Sequence, residues 1–318
     1  MSLLYISQQI TIYTGCFLFV AGMIGNGMNI FIFSSVRTYR TTPCTFYFLM
    51  TSIANILYLI TNLIFRVVSG GFGIDLTRTS VFWCKLRAYL VISLTLTSFT
   101  CSCLASIDQF LVTSRNANLR RLSNIKWAHR IALIAITVCC CFGIPQFVFY
   151  DILPSITTCL NTSAAYAIYV SVYVLSFTCI IPVVILVAFG YLTYRNIQLT
   201  RVLAEQQADH QLVKMTMIQV ILVVIAITPL GINNVYALIT SGVVKDENRL
   251  TIESFASIMV ILLTYINYVG SCYMFLISSR RFRREIKVRI FFWRRQNQVV
   301  PFQQPTLRRA TTNTKGIN

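Results

Sequence analysis

Residues 131–144 read IALIAITVCCCFGI. No charged side chain interrupts the run, and apolar residues do not alternate with polar ones. A membrane-spanning β-strand needs about ten residues of alternating polarity, so this stretch excludes a barrel. Inside lipid every backbone amide must find its partner within its own segment, which leaves the α-helix. The run sits in a longer apolar block, 126–150, and six more blocks are like it: 10–33, 42–65, 81–112, 164–194, 213–241 and 252–277. Each supplies the roughly 20 mostly apolar residues that carry a helix across the hydrocarbon core. The predicted fold is all-α, a seven-transmembrane helix bundle. Composition agrees: of 318 residues, 56% are hydrophobic and 11% charged, against roughly 25% charged in a soluble domain. Such a chain has too little polar surface to cover itself in water.

The net charge is +18, from 27 basic and 9 acidic residues. In a soluble protein that excess would suit nucleic acid, but here the basic residues sit at loop ends. With the amino terminus outside, the inner loops and span ends hold ten of them, including Arg37, Arg40, Arg120, Arg121 and Arg195, and the segment after the last span adds eleven. The outer side holds six: Arg66, Arg78, Lys85, Arg87, Lys245 and Arg249. This asymmetry is the one that orients membrane proteins. It predicts a multi-pass plasma-membrane protein with its N-terminus extracellular and its C-terminus cytoplasmic, with membrane lipid and not nucleic acid as a partner.

The organisation follows from the blocks. A short extracellular segment (1–9) leads into the bundle (10–278), then an amphipathic helix (279–295) and a polar, disordered cytoplasmic tail (296–318). In the amphipathic helix Phe282, Ile286, Ile290 and Trp293 recur at helical spacing between arginines. It is expected to lie on the inner leaflet, held by apolar burial and anionic lipid. No basic n-region precedes the first block, so the first span reads as an uncleaved signal-anchor.

Nine of the eleven cysteines fall inside apolar blocks, where they behave as small apolar residues. Cys139, Cys140 and Cys141 have no nearby His or acid, so no metal is expected there. Cys84, at the outer start of the third span, and Cys159, in the second outer loop, face an oxidising compartment, and a disulfide is the natural pairing. Asn161-Thr162-Ser163 follows at once, an N-glycosylation sequon on the side that the charge asymmetry places outside.

From 10 to about 293 the chain resembles the rhodopsin-like (class A) family of G protein-coupled receptors. The residues that carry the likeness are Gly25-Asn26 in the first span and Asp108-Gln109-Phe110 at the inner end of the third, with Gln109 25 residues after Cys84. Pro182 and Pro229 stand in the fifth and sixth spans, and Asn267 with Ser271-Cys272-Tyr273-Met274-Phe275 in the seventh. The resemblance implies a receptor, of divergent neuropeptide type, that binds an extracellular ligand and passes the signal to a cytoplasmic heterotrimeric G protein. It implies switch and coupling roles for Asp108, Gln109, Phe110, Pro229, Asn267 and Phe275, and core polar roles for Asn26 and Asn55. No cofactor is implied: Tyr265 stands near the place of the opsins' retinal-binding lysine, and Val91 replaces the aspartate of amine receptors.

The departures bear on mechanism. The family's arginine in the third span is Gln109, which offers two donors and no charge, so no ion pair can form from that position. Asn55 replaces the sodium-binding carboxylate, the Trp of the sixth-span Trp-x-Pro is Ile227, and in the seventh span Cys272 and Phe275 replace proline and tyrosine. Two readings stay open: a receptor with a rearranged switch, or one that binds ligand without coupling to G protein. Aromatic and amide groups in the outer half suit a short peptide, and the expected ligand contacts are Arg66, Arg87, Gln146, Asn233, Tyr236 and Tyr265. Arg66 and Arg87 either face a cavity or reach up to the outer headgroups. Asp108, the one acid well inside a span, is either a hinge of the inner surface or a cap on a nearby loop. An enzyme is disfavoured because no two acids approach within the spans and both histidines lie near the inner boundary. A transporter or channel is disfavoured because mid-span positions are nearly all apolar.

Overall fold

The computed structural model describes residues 3–74, 80–153, 158–199 and 207–296. Among them seven helices are long and apolar enough to cross a membrane: α1 (Leu3–Ser35), α2 (Pro43–Gly71), α3 (Val81–Thr113), α4 (Ile125–Phe149), α5 (Ala165–Gln198), α6 (Gln211–Ile239) and α7 (Glu247–Ser278). A further helix, α8 (Arg280–Gln296), follows the last span. The one addition to an all-helical fold is an antiparallel hairpin between α4 and α5, β1 (Tyr150–Leu153) and β2 (Thr158–Asn161), with Tyr150 opposite Asn161. Residues 297–318, most of the expected tail, lie outside the described residues, as do Asp75, Arg78 and Arg201.

Local chemistry sets the ends. Ser80 caps α3 through the Trp83 amide, and Asn124 caps α4 by accepting from the Lys126 amide at 3.0 Å. Pro43 occupies the first turn of α2, where its missing N–H is not needed. Helix α1 begins at Leu3, ahead of the block expected from Ile10. Its polar first turns bond inward: Thr11 Oγ1 donates to the Ser7 carbonyl at 2.8 Å, and Gln8 Nε2 to the Gly71 carbonyl of α2 at 2.6 Å.

Prolines and their absence shape the middle of the bundle. Pro182 cannot donate and crowds the carbonyl four residues back; just ahead of it α5 widens into a π-helical stretch, Val174–Ile180. Pro229 lies within α6. Helix α7, with Cys272 where the family has proline, runs unbroken to Ser278.

Two large apolar clusters and a small one at Leu96, Cys139 and Tyr173 fill the interior. One gathers Tyr58, Leu59, Leu63, Phe99, Tyr265 and Tyr268 toward the hairpin. The other gathers Phe33, Phe48, Met215, Phe275 and Phe282 toward the basic end. Helix α1 comes close because it carries glycine at the contact. A Cβ on Gly22 would collide with Leu59, and one on Gly25 would stand 3.3 Å from the Cys272 Cβ of α7. On the outside, Leu133 and Ile134 of α4 are 69% and 65% exposed, a surface suited to lipid and not to water.

Candidate functional site

The hairpin is tied to one helical turn of α3 by two links. Cys159 is disulfide-bonded to Cys84, the pairing expected from sequence, and Asp151 pairs with Lys85 at 3.6 Å. Asn161 closes the hairpin opposite Tyr150, and Thr162 binds back to the Phe149 carbonyl.

Between α2, α3, α5, α6 and α7 lies a cavity of about 150 Å³. Its wall is apolar at Val91, Val174 and Leu230 and hydroxylated at Thr95, Thr178 and Thr264. Tyr58 and Tyr268 stack at 4.1 Å on one side of it. Toward the hairpin, a polar group continues from Tyr58. Asn62 Nδ2 donates to the Tyr58 hydroxyl at 2.7 Å, while its Oδ1 accepts from Arg87 Nη2 at 3.3 Å. Phe65 lies under the Arg87 guanidinium. Arg66 and Arg87 are close enough for their charges to act on the Tyr265 hydroxyl. Tyr265 is 1% exposed, with its hydroxyl within reach of the Arg66 guanidinium, whose Nε is buried and unpaired. Arg66 itself is half-buried, with its Nε enclosed by the bundle.

The structure divides the six expected ligand contacts among three places. Arg66, Arg87 and Tyr265 come together. Gln146 is buried at the hairpin end of α4 beside Tyr166, with its Oε1 unpaired. Asn233 and Tyr236 belong to an α6–α7 contact instead. Asn233 accepts from Ser257 at 3.3 Å, and Tyr236 donates to Glu253 at 2.6 Å. Glu253 also accepts from Lys245 at 2.5 Å and Arg249 at 2.9 Å. The helical face that carries Asn233 and Tyr236 meets α7, which the sequence period alone does not specify.

The centre of the bundle holds an uncharged amide network. Asn26 Nδ2 donates to the Gly22 and Tyr268 carbonyls, both at 2.9 Å. Its Oδ1 accepts from Asn55 Nδ2 at 3.3 Å, and Asn55 Oδ1 accepts from Ser98 at 2.7 Å. Four helices, α1, α2, α3 and α7, meet through these bonds. One turn further, Asn29 donates to Ser52 and to Ser271, each at 3.2 Å. The Tyr268 carbonyl serves Asn26 in addition to its place in the α7 ladder, as its two lone pairs allow.

At the basic end Asp108 is buried and accepts from Ser123 at 2.6 Å. That bond ties the basic end of α3 to the segment ahead of α4, as a cap on a nearby loop would. Gln109 is also buried, with Oε1 unpaired, as is Oδ1 of Asn267. Phe110 packs edge-on against Phe189 of α5 at 5.5 Å. Phe275 meets Phe48 at 4.9 Å and Phe282 at 6.0 Å, so the missing tyrosine hydroxyl is replaced by aromatic packing. Cys44 and Thr216 approach at 3.7 Å between α2 and α6.

A family model described as 7 transmembrane receptor (rhodopsin family) matches residues 25–273. The chain belongs to this receptor family. No individual curated protein matches it. Members of the family are receptors and not enzymes, and their partners are in general an extracellular ligand and a G protein. The receptor is thus a multi-pass membrane protein. Several of its working residues escape a reading by motif. Asn29 lies three residues after Asn26, on the same helical face, and Asn62 stands four before Arg66. That spacing was a usable signal. Ser98, Ser52, Gln211 and Ser279 carried none, because hydroxyls and amides in apolar helices commonly satisfy themselves on their own backbone.

Proposed function

We propose that this chain is a G protein-coupled receptor of the plasma membrane, with its N-terminus outside, whose ligand is a short peptide received at the disulfide end. The observation that carries the ligand reading is the cavity together with the polar group of Tyr265 and Arg66, which lies outside its lining and next to Tyr58, with the Arg66 Nε buried and unpaired. A buried polar group without a partner costs about 1–3 kcal/mol, which a peptide carbonyl or carboxylate placed there would recover. Gln146 and Tyr166 offer a second buried polar pair nearer the hairpin. The charge asymmetry of the loops supports the orientation, and with it glycosylation at Asn161.

Signalling works by population shift: a ligand that prefers one packing of the bundle biases the basic ends of α5 and α6. Pro229 removes a bond from the α6 ladder, Asn267 and Phe275 supply the packing of α7, and Asp108, Gln109 and Phe110 act on coupling from the basic end of α3, where Asp108 and Gln109 are buried. A second reading, ligand binding without coupling, is favoured by one observation, the neutral and buried Gln109. Expression in cells with a peptide library and a G protein activation readout tests both. A peptide response that weakens in Arg66→Gln supports the proposal. Binding without activation, even in Gln109→Arg, supports the second reading.

A further inference from the structure

Helices α6 and α8 are joined through one side chain. Gln211, in the first turn of the α6 span, accepts two hydrogen bonds on its Oε1: from Ser279 Oγ at 2.9 Å and from the Arg281 amide at 3.0 Å. The Arg281 amide belongs to the first turn of α8, where no carbonyl of the same helix can serve it. Ser279, fully buried, in turn accepts from the Phe282 amide at 3.1 Å. The cap of α8 is therefore composite. Ser279 satisfies one amide from within the junction, and Gln211 satisfies another from a different membrane-spanning helix. Leu212 and Met215, on the following turn of α6, pack into the same cluster as Phe275 and Phe282.

No comparable polar tie holds α6 elsewhere at this end among the described residues. Gln109 carries no charge, and its Oε1 is unpaired. The Cys44–Thr216 approach at 3.7 Å is a weak sulfur contact. We propose that Gln211 is the closed-state latch of the receptor: its carbonyl holds the basic end of α6 against the α7–α8 junction, the restraint that an ion pair at position 109 cannot provide. The inference concerns the regulation of the coupling surface and rests on the receptor reading above. When α6 swings out, both bonds to Oε1 break, and the Arg281 amide and Ser279 hydroxyl lose their protein partner together. Opening of α6 and loosening of the α8 cap are one event.

The test uses the full-length receptor in lipid nanodiscs, with spin labels at Lys214 on α6 and Asn118 between α3 and α4. Distances are measured by pulsed electron resonance, alongside hydrogen exchange of residues 280–283. Gln211→Ala is expected to raise the open-to-closed ratio about tenfold, since two neutral hydrogen bonds of ordinary net strength amount to about that factor. It should also speed exchange at Arg281. Ser279→Ala, which removes the donor from the other side, should act in the same direction. Gln211→Glu keeps the acceptor oxygens and should leave the wild-type distances, which separates a lost latch from a misfolded helix. Unchanged distances in Gln211→Ala overturn the latch. So does faster exchange at Arg281 with α6 unmoved, which would make Gln211 a cap and nothing more. Opening without any G protein turnover supports the latch and counts only against the coupling reading.

Discussion

Removing one amide from the centre of the bundle gives the sharpest test of what holds it together. Asn55 accepts from Ser98 at 2.7 Å and donates to Asn26 at 3.3 Å. In Asn55→Ala both bonds go. The Ser98 hydroxyl has an exit: it can turn to the carbonyl four residues back, as Thr97 and Ser102 on the same helix already do. The Asn26 Oδ1 has none, because its neighbours are the glycine-lined contacts of α1. Each single change leaves a buried acceptor bare, Asn55 Oδ1 in Ser98→Ala and Asn26 Oδ1 in Asn55→Ala, so each is expected to cost about 1–3 kcal/mol, with Asn55→Ala the larger because it removes two bonds. Interhelical hydrogen bonds within membranes average about 0.6 kcal/mol and reach about 1.7. A short bond between two buried groups belongs in the upper half of that range, so the double-mutant coupling is expected near 1 kcal/mol. Denaturant unfolding of the detergent-solubilised receptor, followed by tryptophan fluorescence, measures it. If the two changes add within about 0.3 kcal/mol, the network is a coincidence of packing and the reasoning is wrong.

Sodium in place of a large organic cation is expected to leave the unfolding midpoint unchanged, since Asn55 brings no charge, whereas Asn55→Asp should make it sodium-dependent; a sodium effect in the wild type would contradict this. Gly22→Leu should destabilise by about 1–3 kcal/mol through overpacking against Leu59 and Val269, while Gly27→Leu, which meets nothing within 4 Å, serves as the neutral control in the same melt. Cys159→Ser opens a loop of 75 residues and should cost about 2–4 kcal/mol; its midpoint without reductant should match that of the reduced wild type.

The seven blocks are legible because lipid demands a length and a composition that no other solvent does, and the Cys84–Cys159 link because Cys84 stands at the outer start of the third span and Cys159 in the loop beyond the fourth. The start of helix α1 is not legible from hydropathy, since Ser7 and Gln8 look like a polar tail; their side chains bond to the Leu4 and Gly71 carbonyls. The candidate site was half legible. Arg66, Arg87 and Tyr265 were found as ionisable or polar residues in apolar helices, and they meet. Asn233 and Tyr236 are polar residues of the same kind, yet they bond to Ser257 and Glu253 of α7, because packing and not the sequence period decides which neighbour a helical face meets. Gln211 and Ser279 were invisible, for a tie between two helix ends depends on tertiary placement and leaves no spacing in the chain.

The network around Asn26 and Asn55 contains no group that takes or gives a proton. Asparagine and serine keep their donors and acceptors at any acidity a cell offers, so these cross-links contribute nothing to a proton-linked stability curve. In an acidified compartment the receptor keeps the same central bonds that it has at neutral pH.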